Sequence, residues 1–268
     1  MLCLAAMVLT GTLFAQEGPS YKGTLEVHEK YYQVSQKHGK NILSLATFST
    51  GYYDNEGFLV DRIIQKGNKT HMGRVVQNRS QNPEVLEVLS YNYMGLLASR
   101  KVEIAGDIEG EKSIIEYDSN GKILSKTSVR IDPHNDHYWT LEYGQVGYVQ
   151  RYLQDIRDSY ARVQERRVYD FKEELSEIHN YIYDNQEQLI AIIAQDPHDS
   201  LLFKHEYTYD ENSNLLLEKY YEGEDKLLKS TNYSYDEKNR LIQKLEYIWN
   251  PRYGVIPQLK KQWDYTYM

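Results

Sequence analysis

Residues 201–241 read LLFKHEYTYDENSNLLLEKYYEGEDKLLKSTNYSYDEKNRL, and this stretch decides the fold. Before Asp210, Leu201, Phe203, His205, Tyr207 and Tyr209 share one face, while Leu202, Lys204, Glu206 and Thr208 share the other. Leu227, Lys229, Thr231, Tyr233 and Tyr235 repeat the arrangement before Asp236. A period of two, rich in aromatic and β-branched residues, predicts half-buried strands. Between the strands, an Asp after Tyr accepts hydrogen bonds from backbone N–H groups two residues on and starts a turn.

The same unit recurs outward in both directions. Tyr anchors stand at 53, 91, 117, 143, 169, 183, 209 and 235, each followed by polar or Gly positions and then an aliphatic residue. The steps from 91 to 117, 143 and 169 are each 26 residues, as are those from 183 to 209 and 235. A fixed period of this kind marks a repeat architecture. One step holds two strands of about nine residues and two turns, as in an antiparallel meander. Gly57, Gly95, Gly121 and Gly147 supply positive φ four residues after Tyr without steric cost. Asn239 tolerates that conformation too, whereas Ser213, Glu173 and Glu187 suit it less well.

The intermediate turns are visible at Asp132-Pro133-His134-Asn135, Asp196-Pro197-His198-Asp199 and Glu222-Gly223-Glu224-Asp225. The single 14-residue step, Tyr169 to Tyr183, fits one strand joining turns at opposite ends. Over 155–182 a helical period competes, through Ile156, Tyr160, Val163, Phe171, Leu175, Ile178 and Ile182. Strands are favoured because the 26-residue step from Tyr143 to Tyr169 crosses this segment intact. Thr24 to Tyr31 and Ile42 to Phe48 read as a hairpin around Lys37-His38-Gly39-Lys40. The expected fold is all-β: a long antiparallel meander of repeated hairpins, about fifteen to twenty strands, forming a curled sheet or barrel-like shell with Tyr and Leu facing one another inside.

Tyr207-Thr208-Tyr209-Asp210, Tyr233-Ser234-Tyr235-Asp236 and Asn239-Arg240-Leu241 resemble the Tyr-Asp (YD) repeat of RHS-type bacterial proteins. The resemblance covers most of residues 50–268 and implies a bacterial, exported, β-rich protein. Family members are secreted or cell-surface proteins, often shells or stalks that carry toxins or bind carbohydrate. This chain has a longer step and many replaced glycines, and no toxin-like or self-cleaving domain is expected in it.

Composition agrees with export. Residues 1–16 open with MLCLAAMVLTGTLFA and break to Gln16-Glu17-Gly18-Pro19, the pattern of a secretory signal. The apolar run is shorter than the ~20 residues that span a bilayer. Residues 17–268 are then expected to form a single domain of the repeat type. Its location is expected to be periplasmic, cell-surface or extracellular. Cys3 is the only cysteine, so a processed chain would have no disulfide, thiolate metal site or Cys nucleophile. A net charge of -8 argues against nucleic acid as a partner.

Candidate sites are few. Asp132, His134, Asp136 and His137 form the densest ligand-like cluster, but Asp-Pro-His recurs at Asp196 as a plain turn. No phosphate loop, Gly-x-Ser-x-Gly elbow or His-Glu-x-x-His occurs. No catalytic, cofactor-binding or metal-binding residue is therefore assigned, and no cofactor is expected. Trp139, Trp249, Trp263 and Tyr253 are aromatic platforms for sugar rings, or members of the face that packs the sheet. The expected function is a non-enzymatic structural or binding module of the bacterial envelope, with a glycan or another envelope protein as partner. Two alternatives are a carbohydrate-active enzyme with carboxylates in a barrel mouth, and an outer-membrane β-barrel. Lys219, Lys229, Lys261 and His205, read together on the apolar face, speak against lipid contact.

Overall fold

The computed structural model describes residues 25–268 apart from 38–39, 69, 82–83, 107–110, 132–137, 144–147 and 250–256. The expected signal at 1–16 and the cluster Asp132, His134, Asp136 and His137 lie outside the described residues, as do Gly147 and Tyr253. Eighteen strands follow in order: β1 (Leu25–Lys37), β2 (Lys40–Tyr53), β3 (Leu59–Lys66), β4 (His71–Gln81), β5 (Glu84–Asn92) and β6 (Leu97–Ala105). Then come β7 (Lys112–Asp118), β8 (Ile123–Ile131), β9 (Tyr138–Tyr143), β10 (Val149–Arg157), β11 (Val163–Tyr169) and β12 (Leu175–Tyr183). The last six are β13 (Leu189–Gln195), β14 (Leu201–Tyr209), β15 (Leu215–Glu222), β16 (Lys226–Tyr235), β17 (Leu241–Ile248) and β18 (Gln258–Tyr267).

Each strand pairs antiparallel with its sequence neighbours, and β1 pairs with both β2 and β18. Glu29 lies opposite Ser49 on one side and Tyr265 on the other. The sheet is thus a closed meander barrel with no free edge, which removes the aggregation hazard of an unpaired strand. The helical alternative over 155–182 fails because the turns at Asp158 and Asp170 cut the period, and β10, β11 and β12 pair in register.

Among the described residues, nine turns share one geometry, begun by Asp54, Asn92, Asp118, Asp158, Asp170, Asp184, Asp196, Asp210 and Asp236. At Asp210, the Ser213 N–H donates to the Asp210 carbonyl at 3.1 Å and the Asp210 N–H donates to the Asn214 carbonyl at 2.9 Å. The Asp210 Oδ1 accepts from the N–H groups of Asn212 and Asn214 at 2.9 and 2.8 Å. This is a type I turn followed by a left-handed residue that makes a bulge. Gly57, Gly95 and Gly121 fill the left-handed position as expected. Ala161, Glu173, Glu187, Asp199, Ser213 and Asn239 occupy it too, at φ of 59–67°. The side chain of the initial Asp or Asn determines the turn even where no glycine relieves it.

The chain path explains the two spacings. Following the strand directions, the turns after Tyr53, Tyr183, Tyr209 and Tyr235 lie at the end that carries both Leu25 and Tyr267. Those after Tyr91, Tyr117 and Tyr169 lie at the other end, with Tyr143 closing its strand there too. The 14-residue step is β12 alone, which carries the pattern from one end to the other. At the first end the anchors form a ladder. The hydroxyls of Tyr183, Tyr209, Tyr235 and Tyr267 donate to the carbonyls of Val163, Leu189, Leu215 and Leu241 at 2.7–2.9 Å.

Two small residues reveal which face is concave. Phe203 of β14 and His179 of β12 meet with ring centroids 5.2 Å apart, across Ala194 of β13, which is fully buried. Arg62 of β3 reaches Glu29 of β1 at 3.7 Å across Gly51 of β2. A Cβ at Gly51 would sit 3.2 Å from Arg62 Nε. Side chains two strands apart converge in this way where a sheet curves towards them. The face with Phe203, His205, Glu29 and Arg62 is therefore concave over β1–β3 and β12–β14, and as one continuous face of the closed sheet it lines the lumen.

The expectation that Tyr and aliphatic side chains such as Leu meet inside holds in part. Ile64, Val75, Leu153 and Val168 are buried on the lumen face, as is Tyr233, while Leu124, Ile182 and Leu202 on the other face are exposed. Lys, Glu and Arg side chains nevertheless stand among the buried ones. The reason is width: eighteen strands ~4.8 Å apart and tilted by about 40° give a backbone diameter of about 35 Å for a round section. The main contacts between strands run between neighbours in the sheet. Lys219 also departs from expectation. It pairs across the ladder with Glu206 on the convex face, away from Lys229, Lys261 and His205 on the concave one.

Candidate functional site on the concave wall

The cross-strand register from β14 to β1 aligns a polar and aromatic band on the lumen wall. His205 faces Tyr220, which faces Lys229; Tyr207 faces Glu218, which faces Thr231 and then Glu246. Lys244 faces Trp263, and Trp263 faces Tyr31. Alternation alone places these side chains on one face, and pairing brings them together across six strands.

At the β14 side, the rings of His205 and Tyr220 lie 4.8 Å apart, tilted by 51°. They border a cavity of about 280 Å³ that Glu218, Lys229 and Thr231 complete. Tyr233 donates its hydroxyl to Glu218 Oε2 at 3.2 Å, which leaves Oε1 3.9 Å from His205 Nδ1. That nitrogen has no hydrogen-bond partner among the described residues. Burial holds the His205 imidazole below its ordinary pKa, outweighing the pull of Glu218, so it is neutral at pH 7. Burial also raises the Tyr207 hydroxyl to about 12, with Glu218 adding to the effect.

Farther along the band, the Glu246 carboxylate takes Lys229 on one oxygen and Lys261 on the other, both at 2.9 Å. Burial opposes its charge, but these hydrogen bonds and charges outweigh it and hold the carboxyl below its usual range. Lys244 lies 5.5 Å from the Tyr233 ring centroid and 5.1 Å from that of Trp263. Trp263 stacks on Tyr31 at 5.1 Å with 29° between planes. Burial lowers the Lys244 pKa, with Glu218 acting the other way. The band thus offers π-faces flanked by balanced ammonium and carboxylate groups. It suits a ligand with both donors and acceptors.

The other proposed aromatic platforms are elsewhere. Trp139 lies opposite Gln154 on the convex face, its ring 5.9 Å from that of Tyr169. Trp249 donates to Ser230 Oγ at 3.4 Å. Of the platforms among the described residues, Trp263 alone joins the concave band. Nothing local in the sequence joins His205 to Glu218 and Tyr220, because their closeness depends on the pairing of β14 with β15.

Carboxylates do gather at a mouth of the barrel, around a cavity of about 460 Å³ lined by Asp54, Phe58, Arg79, Glu103, Glu111 and Lys112 among others. Each has a structural partner. Glu103 takes Lys112 at 2.7 Å, Glu111 takes Arg130 at 3.3 Å and the Ile131 N–H at 3.2 Å, and Asp54 caps its turn. Among the described residues, no group of three His, Cys, Asp or Glu side chains is arranged to hold a metal.

No family model and no curated protein matches the chain. Among solved structures it is similar to a porin-like protein from Bacteroides uniformis, at 10% identity over 91% of this chain and 97% of that one, with a TM-score of 0.32. It is also similar to the TcdB2–TccC3 assembly lacking its hypervariable C-terminal region, at 16% identity and a TM-score of 0.25. A third is the Photorhabdus luminescens Tc holotoxin pore, at 12% identity and the same TM-score. The chain spans 13% and 16% of those two toxin chains while 81% and 82% of it is covered. Scores of this size establish neither a fold family nor a function.

Proposed function

We propose that residues 17–268 form an exported, non-enzymatic binding barrel of the bacterial envelope, built from YD-type repeats and working in an aqueous compartment. The polarity step at residues 16–19 supports export. The observation that carries the aqueous reading is the convex face, which bears ion pairs around the circumference. Arg74 meets Asp61 at 2.6 Å, Arg100 meets Glu87 at 2.6 Å, Arg167 meets Glu165 at 2.6 Å and Lys204 meets Glu206 at 2.9 Å. A cation facing lipid at the midplane costs about 2–4 kcal/mol, so several such rows favour water over hydrocarbon. The concave wall, with its rings and balanced charges, is the binding surface. The committed carboxylates at the mouth support a non-enzymatic role.

Cell fractionation tests this. The processed protein is expected in the osmotic-shock or culture fraction, monodisperse without detergent. Closure into eighteen strands favours a second reading, an outer-membrane barrel. Retention in the membrane pellet after alkaline carbonate washing would establish that reading and overturn the first. Turnover of a polysaccharide, abolished by one substitution among Glu103, Glu111 and Glu218, would instead make the protein an enzyme.

A further inference from the structure

We infer that the cavity formed by His205, Tyr220, Glu218 and Lys229 seats one sugar ring of an oligosaccharide, which continues along the lumen wall to Trp263 and Tyr31. The inference rests on the reading of the concave wall as a binding surface and names its ligand class. Four features of the wall lead to it.

The floor is aromatic and uncharged. His205 is neutral because burial disfavours its cation, and its ring and that of Tyr220 present π-surface within 4.8 Å of each other. The C–H face of a pyranose packs on such a surface without losing a charge's hydration. Hydrogen-bonding groups of both kinds stand beside that floor. Glu218 keeps Oε1 as an acceptor, because Tyr233 occupies Oε2. Lys229 gives one direction to Glu246 and, being half exposed, keeps donors for the cavity. A hydroxyl both donates and accepts, so it matches this pair. A phosphate or carboxylate ligand would face Glu218 across the same space.

The size also fits. At about 280 Å³ the cavity lies just below the ~300–1,000 Å³ of sites for drug-sized ligands, as expected of a single ring. Finally, the wall repeats the theme. Trp263 stacked on Tyr31, with Lys244 5.1 Å from the indole, lies three strands across and, in the register at β17, four residues along from Tyr220, about 20 Å away at ~4.8 Å per strand and ~3.3 Å per residue. A second ring seated there makes the ligand a linear oligosaccharide.

The test is calorimetric titration of the full mature chain with cellohexaose, maltohexaose and chitohexaose, with indole fluorescence as a second readout. At least one is expected to bind saturably and to shift the emission of Trp263. Tyr220→Ala and Glu218→Gln are expected to weaken that binding about tenfold each, from lost stacking and a lost acceptor. Tyr221→Ala, on the convex face beside Tyr220, is expected to leave it unchanged. Tyr220→Leu retains bulk and serves if Tyr220→Ala does not fold. No binding by any of the three, or equal weakening by Tyr221→Ala, overturns the inference. A soluble exported barrel that ignores all three sugars would still satisfy the proposed function, whereas a protein found only in membranes would not.

Discussion

Ser213 and Gly121 occupy equivalent places in two turns, both left-handed, with φ of +67° and +81°. Exchanging their residue types should move stability in opposite directions. For an L-residue the left-handed region costs about 1–2 kcal/mol. Glycine recovers that cost but gives back about 0.5–1 kcal/mol through the freedom of its unfolded chain. Ser213→Gly is therefore expected to stabilise by about 0.5–1 kcal/mol. Gly121→Ala should destabilise by a similar amount. At Gly121 a Cβ would meet nothing within 4 Å, so crowding makes no contribution and the cost is conformational. The initial Asp bonds the backbone alike in both turns, at 2.8–2.9 Å, which keeps the comparison clean. Urea unfolding should show the midpoint rising for one variant and falling for the other with the slope unchanged. In a chain of this length the corresponding Tm shifts are about 2–4 °C per kcal/mol. A destabilised Ser213→Gly, or a neutral Gly121→Ala, would refute the claim that Asp210 and Asp118 hold strained positions against their own preference.

Three further outcomes are expected. Tyr209→Phe and Tyr235→Phe each remove a 2.9 Å hydrogen bond to a strand carbonyl and should cost about 1 kcal/mol in thermal unfolding, with nearly additive effects in the double variant. Glu246→Gln leaves Lys229 and Lys261 facing each other; because both ammonium groups are half exposed, screening should keep the loss near ~1 kcal/mol. The Glu246 carboxyl is depressed in the folded state, so its contribution is present at neutral pH and fades as pH falls through that depressed value. Acid titration of stability should accordingly be shallower in Glu246→Gln than in the parent. His205 should titrate by NMR below its ordinary 6.5; burial favours its neutral form, so the folded state loses stability as pH drops below that value, and His205→Gln should remove this part of the slope.

Much of the fold was legible because its signals are local. Asp210 and Asp236 bond to backbone groups two and four residues on, and Tyr209 and Tyr235 precede them at a constant spacing, so one chain segment contains the whole turn. Asp158 escaped this rule because Arg157, not Tyr, precedes it, although its turn is the same. Glu173 and Glu187 looked unsuited to the left-handed position. The structure places them there because the side chains of Asp170 and Asp184 each secure two backbone N–H groups.

The candidate site was less legible. Alternation put His205 with Tyr207 and Lys229 with Tyr233, yet no segment of the chain says that Tyr220 lies between His205 and Lys229. Lys219 shows the same limit, since its pairing with Glu206, itself on the convex face, places it outward.

By itself, then, the sequence determined the strands, their turns and their order, because alternation and Asp-initiated hydrogen bonds act within a few residues. Only the tertiary structure decided that β1 joins β18, which face is concave, and that charged side chains share the lumen wall with aromatic and aliphatic ones. Those outcomes depend on register and curvature summed over eighteen strands, and the small residues Gly51 and Ala194 become meaningful only once curvature brings their neighbours together.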